Sequence, residues 1–128
     1  MIAHISIGVS DIERSKRFYD AALEPLGYKC IRAARVLVGY GYGADTIGLW
    51  VVSADRPVPA DEKSGLHICF AAASTAAVDA FYAAAVQSGG QDNGAPGLRS
   101  IYAPDYYAAF IIDPDGYRIE AYYGPGET

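Results

Sequence analysis

Two stretches of this chain repeat each other without a gap. His4 opens His-Ile-Ser-Ile-Gly-Val and His67 opens His-Ile-Cys-Phe-Ala-Ala, and these are the chain's only histidines. Each segment leads into a helical pattern with a Phe-Tyr pair, Phe18-Tyr19 in the first and Phe81-Tyr82 in the second. The offset from His4 to His67 recurs from Phe18 to Phe81 and again from Gly27 to Gly90. A frame held through strand, helix and helix stop points to one supersecondary unit used twice. It also sets both imidazoles at matching points, from which they could face a common site.

Residues 2–9 alternate as a strand, with Ile5, Ile7 and Val9 on one side and His4, Ser6 and Gly8 on the other. Ser10 reads as an N-cap, with Glu13 closing a capping box. Ile12, Ser15, Tyr19, Ala22, Leu23 and Leu26 keep helical spacing and give one face to bury, and Pro25 and Gly27 stop the helix. Strand-like runs follow near 28–34, 36–41 and 46–53, and the glycine–tyrosine alternation at 39–43 reads as a hairpin or flexible loop. Residues 54–64, with two prolines and several charges, form the natural linker.

The order then recurs. A strand is predicted over 65–72, with Ser74 as the next cap. Val78, Phe81, Tyr82, Ala85 and Val86 mark a helix that Gly89-Gly90 ends. Residues 91–99 read as loop. Strands are predicted over 99–103, 107–112 and 117–123, the last two joined by a tight Asp113-Pro114-Asp115-Gly116 turn. The expectation is a single α+β domain over 1–128. It consists of one βαβββ module at 1–53, the linker, and a second module at 65–123, forming a curled mixed sheet around a cleft with helices outside.

Bulk properties narrow the function. A net charge of −5 argues against a nucleic-acid surface. No basic run would hold the chain on an anionic membrane, and no apolar run approaches a membrane span. No secretory leader is visible, and Cys30 and Cys69 lack motif spacing, so reduced thiols in a cytoplasmic protein are expected. Eleven tyrosines supply apolar bodies with polar tips, suited to the wall of a small-molecule cleft.

Side chains alternate across a sheet, so parity sorts them by face. Ile5, Ile7 and Val9, then Ile68 and Phe70, then Ile119 and Ala121, belong under the helices. The opposite face carries His4 and Ser6, His67 and Cys69, and Arg118, Glu120 and Tyr122. Two imidazoles and one carboxylate, His4, His67 and Glu120, are the donor set of a divalent first-row metal: iron, zinc, manganese, cobalt or nickel. Such an ion polarises a carbonyl or enediolate oxygen or acidifies a water. The plain alternative is two satisfied strand histidines and a solvated glutamate.

Several of these stretches resemble the vicinal oxygen chelate superfamily, which includes glyoxalase I, extradiol dioxygenases, fosfomycin-resistance transferases and bleomycin-resistance proteins. They are His4 on the first strand, Gly8-Val9-Ser10-Asp11 running into Ser15 and Phe18-Tyr19, and the ending Asp113-Pro114-Asp115-Gly116-Tyr117-Arg118-Ile119-Glu120. The loop 93–99 with Tyr106 to Phe110 is similar to an uncharacterised glyoxalase-like bacterial group. The resemblance implies metal ligation by His4, His67 and Glu120, one divalent ion, and a homodimer. Glyoxalase I has a fourth ligand, a glutamate, where Gly48 stands here, which argues against a lactoylglutathione lyase.

The expected activity is a metal-dependent small-molecule enzyme that stabilises an oxyanion or enolate of a substrate chelated through vicinal oxygens. The alternative is a non-catalytic, drug-binding dimer of the bleomycin-resistance kind, to which the acidic balance would attract cations. A partner-binding domain is a third option without supporting features. Expected substrate contacts are Ser6, Trp50, Arg99, Tyr107 and Tyr122. Arg99 is weighed as an oxyanion clamp against a surface ion pair. Trp50 is weighed as pocket wall against core filler, and the tyrosines as cleft walls against ordinary strand residues.

Overall fold

The structure, a computed structural model, describes residues 1–43, 45–58 and 61–124. Its elements run β1 (Ile5–Val9), α1 (Ile12–Leu23), β2 (Lys29–Ala33), β3 (Leu37–Gly41), β4 (Leu49–Ser53), β5 (Ile68–Ala71), α2 (Thr75–Gln87), β6 (Gln91–Leu98), β7 (Tyr107–Ile112) and β8 (Arg118–Tyr123). The β-α-β-β-β order appears twice, as the repeat requires. Each module makes its own mixed sheet, ordered β1-β4-β3-β2 and β5-β8-β7-β6. The first strand of each module pairs in parallel with the last, and the other pairings are antiparallel.

The two sheets stay separate and do not close into one curled surface, so β1 and β5 each lie at a sheet edge. The α+β class and the doubled module hold. The helices pack on each other, and buried residues of both modules join one cluster. Ile7, Val9, Phe18, Leu23 and Val51 come from the first module, and Phe70, Val78, Phe81, Ile111 and Ile119 from the second. Parity sorted the helix-facing residues of β1, β5 and β8 as found.

Local chemistry sets three departures from the sequence reading. Asp11, not Ser10, caps α1, its side chain accepting from the Arg14 amide. Ser10 is drawn away instead, its amide and hydroxyl both donating to Oδ1 of Asp115 at 3.0 and 2.9 Å. Residues 91–99, expected as loop, are mostly β6. It is an edge strand whose pairing slips around Gly94 and Gly97, and only an edge tolerates such glycines and Pro96. The strand expected at 99–103 is turn. The run 36–41 is a strand as expected, so Gly39 and Gly41 of the stretch also read as a hairpin or flexible loop lie within β3, where a side chain at 39 would strike Ile47 and the Trp50 ring.

Other signals act as read. Ser74 caps α2 by accepting from the Ala77 amide. A short 3-10 turn (Glu24–Leu26) extends α1 through Pro25, and Gly27 ends it in the left-handed region at φ 87°. The Asp113–Gly116 turn closes with the Gly116 amide on the Asp113 carbonyl. Residues 59 and 60 of the expected linker lie outside the described residues, and a 3-10 turn (Glu62–Ser64) leads from it towards β5.

Candidate functional site

The second sheet carries a polar cluster on its face away from the helices. Glu120 sits mid-β8 and is buried, 2% exposed. A carboxylate in that setting needs partners for both oxygens. The Tyr106 hydroxyl, from the residue just before β7, donates to Oε2 at 2.6 Å. Nε2 of His67, one residue ahead of β5, stands 3.0 Å from Oε1. In the tautomer protonated at that nitrogen, the ring donates to the carboxylate. Burial, with the bond to Glu120 behind it, pushes the Tyr106 phenol far above the usual phenol range, so the proton stays on tyrosine.

Aromatic rings wall this cluster. Tyr106 stacks on Tyr122 with centroids 4.5 Å apart and planes 23° apart, and Tyr102 leans on Tyr106 at 5.2 Å. Cys69 is the register partner of Glu120 across the parallel β5–β8 pair. A cavity of about 410 Å³ runs between the two edge strands, lined by Ser6 and Gly8 of β1, His67 and Ile68, and Tyr117 and Arg118. A second, of about 200 Å³, lies beyond His67 and includes Glu62, Asn93, Tyr102 and Phe110.

The other expected site residues are placed as follows. His4 immediately precedes β1 and is exposed. Among the described residues, no group of three or more His, Cys, Asp or Glu side chains is arranged to hold a metal ion, so His4 does not join His67 and Glu120 within the chain. Ser6 lines the larger cavity and is the register partner of Trp50 on β4. Trp50 is half-buried over Gly39, in the first sheet. Gly48, just before β4, has open space where a side chain would project.

Arg99 spends its guanidinium on its own loop. It donates to the Gly97 carbonyl at 2.9 Å and the Ala95 carbonyl at 2.7 Å, and lies 5.4 Å from the centre of the Phe110 ring. Tyr107 turns towards α2, where its hydroxyl donates to Oδ1 of Asp79 at 2.6 Å. Tyr122 alone of the expected tyrosine contacts belongs to the wall. Tyr106 is not among the expected substrate contacts, yet parity singles it out. Phe110 pairs with Glu120 across β7–β8, so residues 106, 108 and 110 share the Glu120 face and 107, 109 and 111 take the helix face.

The His67–Glu120 geometry suits a metal in part. A nitrogen and an oxygen each about 2.0–2.2 Å from one ion, at a right angle, stand about 3 Å apart. The observed separation is 3.0 Å. One chain thus offers two adjacent donors.

The comparisons with known proteins agree with the fold. The family model described as the Glyoxalase/Bleomycin resistance protein/Dioxygenase superfamily matches residues 1–121. The uncharacterized protein YqjT of Bacillus subtilis (strain 168) is 31% identical, the match covering 91% of this chain and 94% of YqjT. The crystal structure of a glyoxalase/bleomycin resistance protein from Albidiferax ferrireducens T118 superposes with TM-score 0.80 at 35% identity, covering 96% of this chain and 98% of that one. The fold is shared at 16% identity and TM-score 0.72 with the fosfomycin resistance protein FosX from Listeria monocytogenes, over 99% of this chain and 95% of that one. No helix among the described residues is long and apolar enough to cross a membrane. Doubled module and family match coincide over nearly the whole length, and the chain belongs to the glyoxalase/bleomycin resistance protein/dioxygenase superfamily.

Proposed function

We propose that this protein is a divalent-metal-dependent small-molecule enzyme, working as a homodimer in the cytoplasm. His67 and Glu120 of one copy would hold the ion together with His4 of a second copy. The observation that carries the reading is the buried Glu120 carboxylate, fixed by Tyr106 and facing His67 at 3.0 Å beside a cavity. Support for the shared arrangement comes from topology. His4 and His67 stand one residue ahead of β1 and β5, which are both edge strands. Open edges are the places where a second chain adds on, and a two-fold pairing would bring each β1 to the other copy's β5.

When bound, the ion would polarise vicinal oxygens of the substrate and stabilise an oxyanion or enolate. The chain's own groups do the rest. Tyr106 orients Glu120 and keeps its proton. Tyr106 and Tyr122 form a flat wall, and Ser6 lies within the larger cavity as a hydrogen-bonding group for a substrate oxygen. Gly48 leaves no side chain to move a proton where a fourth ligand would stand, which favours chemistry other than that of a lactoylglutathione lyase.

A subunit-mixing experiment tests this. His4→Ala and Glu120→Ala are each expected to lose tightly held metal, measured by elemental analysis. Co-refolded, they should recover metal, because the mixed dimer regains one intact site of two. No recovery, with both variants folded, would refute the shared site. No divalent ion held by the reconstituted wild type would refute the metal-dependent reading. The stacked tyrosines beside a carboxylate favour a second reading, metal-free capture of a cationic aromatic compound. Tight binding of such a compound, unaffected by chelator, would establish it instead.

A further inference from the structure

Arg118 opens β8, two residues ahead of Glu120 on the same face. It is half-buried and, with Leu66 and His67, belongs to the lining of both cavities. Its Nε is buried without a hydrogen-bond partner, and among the described residues no carboxylate pairs with its guanidinium. Leaving a buried donor unpaired costs about 1–3 kcal/mol, so such groups call for an explanation.

Two other arginines sharpen the contrast. Arg14 also has an unpaired buried Nε, but its head donates to Ser10 and Asp115. Arg99 is spent on the carbonyls of its own loop. Arg118 is the arginine at this site whose fork of donors is uncommitted within the described residues, and that fork matches the two oxygens of an oxyanion.

We infer that Arg118 is the anion-recognition residue of this site, and that the substrate carries an oxyanion close to the oxygens that meet His67 and Glu120. The inference rests on the proposed function for the second half of that statement and deepens it by naming the substrate class. Two residues along a strand span about 7 Å. The class is therefore a short-chain carboxylic acid, or its phosphonate counterpart, with the charged group within about 7 Å of its reacting oxygens. On the side of the larger cavity the lining is otherwise largely apolar, with Ile5, Ile7, Leu66 and Ile68, which strengthens an ion pair formed there.

The test is a titration of the purified protein, followed through the Arg118 Nε–H resonance, with three probes of similar size: butyrate, methylphosphonate and butan-1-ol. Butyrate or methylphosphonate is expected to shift the Nε–H signal and the alcohol to leave it unmoved. Whichever anion binds better identifies the carboxylate or the phosphonate source. Arg118→Met should weaken anion binding at least about tenfold and Arg118→Lys less, because lysine keeps the charge and loses the fork. Equal binding of alcohol and anions, or unchanged anion binding by a folded Arg118→Met or Arg118→Gln variant, would overturn the inference. Metal content is measured on the same samples. Metal held while anions ignore Arg118 defeats this inference alone, and anions bound at Arg118 in a protein that never holds metal defeats the proposed function alone.

Discussion

Tyr106 holds Oε2 of Glu120 at 2.6 Å and thereby leaves Oε1 facing His67. If Glu120 is the metal ligand proposed above, a partner that orients it in this way contributes about 10- to 100-fold to metal affinity or activity. Tyr106→Phe is expected to keep the fold and the Tyr122 stacking while weakening metal retention about tenfold, read by competition with a chelator. An unchanged affinity would mean that Glu120 is positioned without the phenol.

Asp115 ties the Asp-Pro-Asp-Gly turn to the start of α1. Its buried carboxylate accepts from the Ser10 amide and hydroxyl, from Arg14 at 3.1 Å and from the Ser15 hydroxyl at 3.2 Å. These bonds span both modules. Asp115→Ala leaves four donors searching for acceptors and should cost about 3 kcal/mol, measured from the urea midpoint. Asp115→Asn, which keeps one oxygen, should cost less.

Tyr19 and Asp113 form a buried pair at 2.5 Å, and Asp113 also accepts from the amides of Asp115 and Tyr117. Tyr19→Phe removes one donor from a buried carboxylate and should cost about 1–3 kcal/mol. Burial raises the Asp113 carboxyl above its ordinary 3.8, outweighing the hydrogen bonds that lower it. A raised carboxyl pKa means that the folded state holds the proton more tightly than the unfolded chain. This contribution to stability is complete below 3.8 and is lost as pH climbs through the raised folded value. Asp113→Asn cannot titrate there, so its stability relative to wild type should improve from about pH 4 to about pH 7. Urea midpoints across that range give the sign directly.

Gly90 makes close contact across the two modules. A methyl group there would stand 2.7 Å from the Phe18 ring, 2.8 Å from the Ala85 carbonyl oxygen and 2.9 Å from Ile111. Gly90→Ala is therefore an overpacking change costing about 1–3 kcal/mol, visible as a lower melting temperature.

The doubled module was legible because the His, Phe-Tyr and Gly positions keep one frame, and parity identified which side of β1, β5 and β8 is buried. Parity put His4, His67 and Glu120 on one face, and of these the structure shows His67 and Glu120 in contact at 3.0 Å. What stayed hidden were relationships between distant segments. Ser10 has the sequence of a cap, but Asp115, more than a hundred residues later, claims it. Residues 91–98 have the composition of a loop, and only their place at a sheet edge makes them a strand. Tyr107 is drawn to Asp79 on α2, a contact that lies outside any local pattern, although the pairing parity of β7 already favoured Tyr106. The division into two separate sheets is a matter of which strands from different modules fail to pair, which no periodicity within one module encodes.

Gly90 abuts Phe18, and Phe70 meets the ring of Tyr28 edge-on at 5.6 Å, so neither half owns a finished interior. Each is the missing wall of the other. A protease cutting the segment that joins them would therefore release no free-standing fragment: the two pieces would remain clasped, and either one made alone would present an oily face in search of its twin.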